Sequence, residues 1–126
     1  MSGPAFNSIG WFEIGTDQPG KVKEFYAELF GWQFELNTNL PGVRYHEVVT
    51  TPGQQSSGGV FESDGKFPDY AIFYVLVPDV AKTLQRAGEL GAEVVMQPVT
   101  DAAGITFGRL RDSSGHHFGV FSPPAN

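Results

Sequence analysis

The same series of hydrophobic patterns occurs twice along the chain. An alternating or continuous apolar stretch predicts a strand, and an apolar residue at every third or fourth position predicts a helix. The first round predicts a strand, a helix and three strands, over residues 8–15, 17–30, 32–37, 43–50 and 58–62. The second round predicts the same series, over residues 69–77, 80–90, 92–98, 105–110 and 117–121. Two rounds of one unit predict an α+β fold of two βαβββ modules.

The two predicted helices have similar ends. Asp17 and Asp79 are expected to cap their first turns, and Gly31 and Gly91 are expected to end them. The apolar stripe of the first helix is expected to be core, together with Trp32 that follows it. The stripe consists of Val22, Phe25, Tyr26, Leu29 and Phe30. Residues 98–104 are predicted to form a loop, and residues 112–115 a turn between the last two strands.

The composition narrows the class of protein. A length of 126 residues suits a single domain, so modules of about 8–62 and 69–121 are expected to form one domain, 1–126. Two copies of such a unit can curve their sheets around a shared cleft. A net charge of −6 with only 8 Lys and Arg residues argues against nucleic acid as a partner. The absence of cysteine excludes disulfides and thiolate ligands. We find no signal-peptide pattern and no apolar run long enough to cross a membrane, and we expect a cytoplasmic protein.

Three stretches carry a resemblance to a known family. They are "FEIGTDQPGKVKEFYAELFGW", "YVLVPDVAKTLQRAGELGAEVV" and "RLRDSSGHHFGVFSPP". In these stretches the chain resembles the vicinal oxygen chelate superfamily, which includes glyoxalase I, extradiol dioxygenases and bleomycin-resistance proteins. The resemblance implies paired βαβββ modules, a cupped sheet around a cleft and a homodimer.

Catalytic members of this superfamily bind a divalent metal through four His, Glu or Gln side chains from the first, fourth, fifth and eighth strands. Carried over to this sequence, the four positions fall at Trp11, at Glu62, at Ile72 or Phe73, and at Gly119. Of these side chains only the carboxylate of Glu62 can bind a metal, and one carboxylate does not hold a catalytic ion. The expectation is therefore a protein without a metal or other cofactor. The register of Glu62 and a part for His46 in a residual site remain open.

Strand alternation predicts which side chains share the cleft with Trp11. Glu13 lies two positions on, His117 and Phe121 flank Gly119, and Tyr74 joins them if Ile72 faces inward. The expected ligand-binding residues are Trp11, Glu13, Tyr74, His117 and Phe121. Among them Glu13 and His117 are the candidate catalytic acid and base, since burial shifts their pKa values. A solvated Glu13, an ordinary strand histidine at His117 and a Trp11 that plugs the cleft are the alternatives.

Three functions remain open from the sequence. The first is a metal-free small-molecule-binding protein of the bleomycin-resistance kind, for which Trp11 and Glu13 favour a cationic or aromatic ligand. The second is a lyase, isomerase or dioxygenase-like enzyme that acts in the same cleft, either metal-free or with shifted ligands. The third is a structural or regulatory module whose cleft is filled by its own side chains. No nucleic acid and no membrane are expected as partners.

Overall fold

The computed structural model describes residues 5–63, 65 and 68–124. The elements in chain order are β1 (Ile9–Thr16), α1 (Pro19–Phe30), β2 (Gln33–Leu36), β3 (Tyr45–Val49), β4 (Gly58–Glu62), β5 (Tyr70–Leu76), α2 (Val80–Glu89), β6 (Glu93–Thr100), β7 (Thr106–Arg111) and β8 (His117–Ser122). The chain divides into two compact units. The first unit is Trp11–Ala71, and the second unit is the described part of residues 1–10 and 72–126.

The two units have the same strand order. In the first unit, β1, β4, β3 and β2 are neighbours in that order, with β1 parallel to β4 and the other pairs antiparallel. In the second unit the order is β5, β8, β7 and β6, again with one parallel pair, β5 and β8. Each unit also contains one helix, so the predicted α+β fold of two βαβββ modules is confirmed.

Helix α1 corrects two expectations. Asp17 does not cap it: the helix begins after Gln18, and the side chain of Thr16 accepts a hydrogen bond from the Gln18 N–H at 3.0 Å. The apolar stripe is not core either, since no residue of α1 is buried and Phe25 and Phe30 are 59% and 57% exposed. One helical residue turns the side chain by about 100°. Tyr26 stacks on Trp32, with ring centroids 5.0 Å apart. The preceding residue, Phe25, therefore points about 100° away from that contact, towards the exposed flank of the helix.

Helix α2 follows the prediction more closely. The Asp79 carboxylate accepts a hydrogen bond from the Lys82 N–H at 3.0 Å, which satisfies one of the unpaired donors of the first turn. Val80 and Leu84 of this helix are buried against Leu110 and Val120 of the sheet. This cluster is the hydrophobic core of the second unit. Its members are Val77, Val80, Leu84, Leu110 and Val120.

Strand β6 is longer than predicted, because the expected loop over residues 98–104 begins with a strand that continues to Thr100. Pro98 has no N–H to donate to a neighbouring strand. The strand tolerates it because β6 lies at the edge of its sheet and pairs only with β7, with register shifts between Val94 and Val99. Within the described residues, no helix has the length and apolar character needed to cross a membrane.

We expect the two aspartates before the helices to differ in their effect on stability. Asp79→Ala should lower the free energy of unfolding by about 1 kcal/mol, since it removes the cap of α2. Asp17→Ala is the matched control and should change it by less than about 0.5 kcal/mol, the usual range for exposed sites. Urea unfolding followed by circular dichroism measures both values. Equal losses in the two variants would contradict the assignment of the caps.

Candidate functional site

Each sheet has one face that its helix covers and one that it does not. In the first unit, Lys23 of α1 donates to Nε2 of His46 at 3.3 Å, so the helix lies on the side of His46 and of its strand neighbour Val60. Alternation places the odd-numbered residues of β1, β3 and β4 on the other side, which we call the helix-free face of the first unit. It contains Trp11, Glu13, Gly15, Tyr45, Glu47, Gly59 and Phe61.

Trp11 and Glu13, both predicted as site residues, therefore share one face. The indole Nε1 of Trp11 donates a hydrogen bond to the hydroxyl of Tyr45 at 2.9 Å. Trp11 is partly buried and Tyr45 is only 7% exposed. The single N–H donor of the indole is therefore engaged by a buried, hydrogen-bonded tyrosine.

Glu13 is a buried acidic residue, with 6% of its surface exposed. The hydroxyl of Tyr70 donates a hydrogen bond to its carboxylate at 2.6 Å. The alternative of a solvated Glu13 is wrong, because the residue is buried and its carboxylate accepts a hydrogen bond from a phenol. A fixed, buried carboxylate can accept hydrogen bonds from a ligand or attract a positive charge.

A second carboxylate lies on the same face. Glu47 and Glu13 are both paired with Gly59, one from each neighbouring strand. Glu47 accepts hydrogen bonds from Asn37 at 2.8 Å and from Ser56 at 2.6 Å. These two residues belong to the loops that flank β3, so Glu47 fixes both loops next to the helix-free face.

In the second unit the helix-free face contains the remaining predicted site residues. Tyr74 and Arg109 are both paired with Gly119, His117 is paired with Arg111, and Phe121 with Phe107. The rings of Tyr74 and Phe121 meet edge to face, with centroids 6.4 Å apart. Ile72 shares this face by alternation, which is the register under which Tyr74 was predicted to join the site. Tyr74, His117 and Phe121 are thus brought to one face of one sheet.

Two arginines surround His117 on this face. Arg109 is 8% exposed, and its guanidinium donates to the sulfur of Met96 at 3.8 Å. Burial, followed by the positive charges of Arg109 and Arg111, lowers the pKa of His117 below its ordinary value of 6.5. The imidazole is therefore neutral at pH 7 and has the protonation state of a base. The neighbouring His116 lies outside the strand and contacts the turn residue Asp112 at 3.3 Å.

The positions that the resemblance assigns to metal ligands do not form a donor set. The Trp11 N–H is a donor, and Ile72 is apolar. A Cβ atom on Gly119 would collide with the ring of Tyr74, which covers the space that a ligating side chain would need. Glu62 lies on the helix side of β4 and pairs with Arg44 at 3.5 Å. Among the described residues, no three His, Asp or Glu side chains are grouped so that they could hold a metal.

His46 also lies on the helix side, so neither open candidate for a residual metal site shares the face of Trp11. Burial and the charges of Lys23 and Arg44 lower the pKa of His46, while Glu62 acts in the opposite direction.

Sequence reasoning missed Tyr45, Tyr70, Glu47 and Arg109. The position of Arg109 could have been predicted, because a turn at residues 112–115 places it opposite Gly119 in the hairpin. It could also have been predicted that Glu47 shares a face with Tyr45, because the two residues are two positions apart on a predicted strand. No local pattern indicates Tyr70, since it lies 57 residues from Glu13.

Comparison with known proteins gives one family and one fold. Residues 8–120 match the Glyoxalase/Bleomycin resistance protein/Dioxygenase superfamily. A Streptomyces coelicolor methylmalonyl-CoA epimerase variant in complex with 2-nitronate-propionyl-CoA is similar, with 18% identity, 96% of this chain and 100% of that chain covered and a TM-score of 0.65. The Mycobacterium tuberculosis methylmalonyl-CoA epimerase has 14% identity, 99% and 93% coverage and a TM-score of 0.64.

A hypothetical protein from Bacillus halodurans C-125 has 15% identity, 94% and 96% coverage and a TM-score of 0.67. No curated protein matches the chain. At these identities the solved structures support the fold alone.

The lowered pKa of His117 predicts a pH dependence of stability. In the unfolded chain His117 binds a proton near pH 6.5, whereas in the folded chain it binds one only at a lower pH. The free energy of unfolding should therefore fall as the pH drops below about 6.5 towards the pKa of the folded state. We expect His117→Gln to show a smaller loss of unfolding free energy between pH 7.5 and pH 5 than the unmodified protein, as measured by urea titrations. An NMR titration of the His117 ring gives the pKa directly. A value at or above 6.5 would contradict the prediction.

Proposed function

The chain belongs to the Glyoxalase/Bleomycin resistance protein/Dioxygenase superfamily, and from that premise we propose that it binds a small molecule on the helix-free face of the first unit. Trp11 provides an aromatic surface and Glu13 a negative charge two positions away on the same strand. We propose further that the protein supplies no transition metal to this site, since the positions assigned to ligands carry Trp11, Ile72 and Gly119.

The observation that supports this proposal most is the fixed position of Glu13. A buried carboxylate costs free energy unless it is paired or hydrogen-bonded, and here a tyrosine hydroxyl holds it at 2.6 Å. The chain thus holds a carboxyl group in a fixed position on the same face as an indole. That combination suits a planar cation, which stacks on the ring and pairs with the carboxylate.

An enzyme is the second candidate, and His117 is the residue that favours it. Its lowered pKa keeps the imidazole neutral, as a general base requires. Several solved structures of the same fold are methylmalonyl-CoA epimerases, and one is described in complex with 2-nitronate-propionyl-CoA. An isomerase that moves a proton with Glu13 or His117 is the corresponding alternative for this chain. A module whose faces are covered by its own tyrosines is a third candidate, favoured by the ring of Tyr74 on Gly119.

Ligand binding is tested by a thermal-shift screen of small aromatic cations. A ligand at 100 times its dissociation constant adds about 2.7 kcal/mol to the stability of the folded state. We expect hits whose affinity falls by about tenfold or more in Glu13→Gln, because hydrogen bonds to charged groups contribute about 1.5–3 kcal/mol. Trp11→Ala should also weaken binding. Glu89→Gln, an exposed change on α2, is the matched control and should leave the affinity unchanged.

The fluorescence of Trp11 locates the binding site. A Trp11→Phe variant leaves Trp32 as the sole tryptophan and supplies the reference spectrum. Hits that neither change the Trp11 emission nor lose affinity in Trp11→Ala and Glu13→Gln would show that the ligand binds elsewhere. Elemental analysis of the purified protein separates the candidates further. About one zinc, nickel, manganese or iron per chain would favour the metal-dependent enzyme.

We also propose a homodimer, with the exposed flank of α1 as its contact. Phe25 and Leu29 are 59% and 57% exposed, which is unusual for large apolar side chains on one helix face. Lys21 and Glu28 lie on this flank, four positions before and three positions after Phe25. A two-fold antiparallel pair of helices places Lys21 of one copy near Glu28 of the other.

The dimer is tested by light scattering at micromolar concentration. We expect twice the chain mass for the unmodified protein and a shift to the monomer mass in Phe25→Glu, because a charge at the centre of an apolar contact loses its hydration when the two copies associate. Phe73→Glu, at a large side chain 43% exposed in the second unit, is the control and should stay dimeric. A monomeric unmodified protein, or a Phe25→Glu variant that stays dimeric, would contradict this contact.

A further inference from the structure

Tyrosine rings lie directly on glycines of the helix-free face in the first unit. A Cβ atom built on Gly59 would meet the hydroxyl and ring of Tyr45, and one built on Gly15 would meet the ring of Tyr70. Any other residue at these positions would displace the ring. The two tyrosines that hold Trp11 and Glu13 therefore reach them only because the strands beneath lack side chains.

The contact between Tyr45 and Trp11 determines what the indole can offer to a ligand. An indole has one hydrogen-bond donor and no acceptor. That donor is directed to the Tyr45 hydroxyl at 2.9 Å, and Tyr45 is itself buried. A ligand therefore meets the ring of Trp11 and not its N–H group.

We propose that Tyr45 is the positioning residue of this site and that it makes the site selective for ligands that stack on Trp11. Tyr45 holds the indole in one orientation, so the ring face is presented before the ligand arrives. The class of ligand is then a planar aromatic cation, in preference to a saturated cation of similar size or to a ligand that needs a donor from Trp11. This inference rests on the proposed function, because it concerns the same face and the same Trp11.

Gly59 is the second determinant of this arrangement. It lies beneath the Tyr45 ring and between Glu13 and Glu47, with which it is paired on either side. Its neighbour Gly58 faces the other way, and a Cβ atom there would meet the ring of Phe12 on the helix side. Gly58 and Gly59 therefore form a matched pair. Both lie on β4, and a side chain at either would collide with an aromatic ring, but the two rings lie on opposite faces of the strand.

The first test measures the indole itself without any ligand. The two tryptophan N–H signals of the NMR spectrum are assigned with the Trp11→Phe variant. Tyr45→Phe keeps the ring and removes the hydroxyl. We expect it to shift the Trp11 signal and to speed its exchange with solvent, while the Trp32 signal stays unchanged. An unchanged Trp11 signal would overturn the proposal.

The second test compares N-methylquinolinium, a planar aromatic cation, with N,N-dimethylpiperidinium, a saturated cation. We expect the unmodified protein to prefer the aromatic cation, and Tyr45→Phe to reduce that preference by about three- to tenfold, the usual range for one hydrogen bond. Gly59→Ala should reduce it as well, whereas Gly58→Ala should not. Equal effects of the two glycine changes on the preference would contradict a positioning role for Tyr45. If either glycine variant fails to fold, the Tyr45→Phe comparison decides.

The outcomes separate this inference from the proposed function. If Trp11→Ala abolishes binding of N-methylquinolinium and Tyr45→Phe changes neither its affinity nor the preference, the binding function stands and the positioning role is wrong. If the unmodified protein binds neither cation, the proposed ligand class fails and the selectivity proposed for Tyr45 fails with it. The N–H signal of Trp11 then still shows whether the hydrogen bond holds the indole.

Discussion

Three strand positions without side chains leave the space that tyrosine rings occupy on the sheet faces. Gly15 and Gly59 lie beneath Tyr70 and Tyr45 in the first unit, and Gly119 lies beneath Tyr74 in the second. Glycine inside a strand normally costs stability, because it loses backbone freedom and packs nothing. The aromatic rings fill the space above these glycines, and the hydroxyls of Tyr45 and Tyr70 contact Trp11 and Glu13. The orientation of Trp11 and the position of Glu13 both depend on this arrangement.

The fold was largely accessible from the sequence, while the contacts on its faces were not. Period-two alternation predicted that Trp11 and Glu13 lie on the same side of β1 and that His117 and Phe121 lie on the same side of β8, since that depends only on strand geometry. The hydroxyl partners lie 34 and 57 residues away along the chain, and no local pattern indicates them. For α1 the pattern predicted the helix correctly but not the burial of its apolar stripe. A pattern of period 3.6 indicates an amphipathic helix but not how much of its apolar side the sheet covers, and Phe25 is consequently exposed.

The helix-free faces of the two units carry different charged side chains. The helix-free face of the first unit contains Glu13 and Glu47, while the corresponding face of the second contains Arg109, His117 and an ion pair of Arg111 with Glu93. The strand order is the same in both, so the charges follow from side chains and not from topology. An acidic face attracts positive charge, whereas burial, followed by the charges of Arg109 and Arg111, lowers the pKa of His117 on the other face.

The hydrogen bond between Tyr70 and Glu13 bears on the choice between recognition and catalysis. A donor fixed on a carboxylate stabilises its negative charge and restricts its movement, which suits a group that holds a cation in place. A general base must instead accept a proton during the reaction, and the resulting carboxylic acid would gain less from that donor. His117 has the better properties of a base, since burial, followed by the charges of two arginines, lowers its pKa. The proposed recognition of a cation by Glu13 and the alternative of proton transfer by His117 therefore make different demands on the residue that would carry each function.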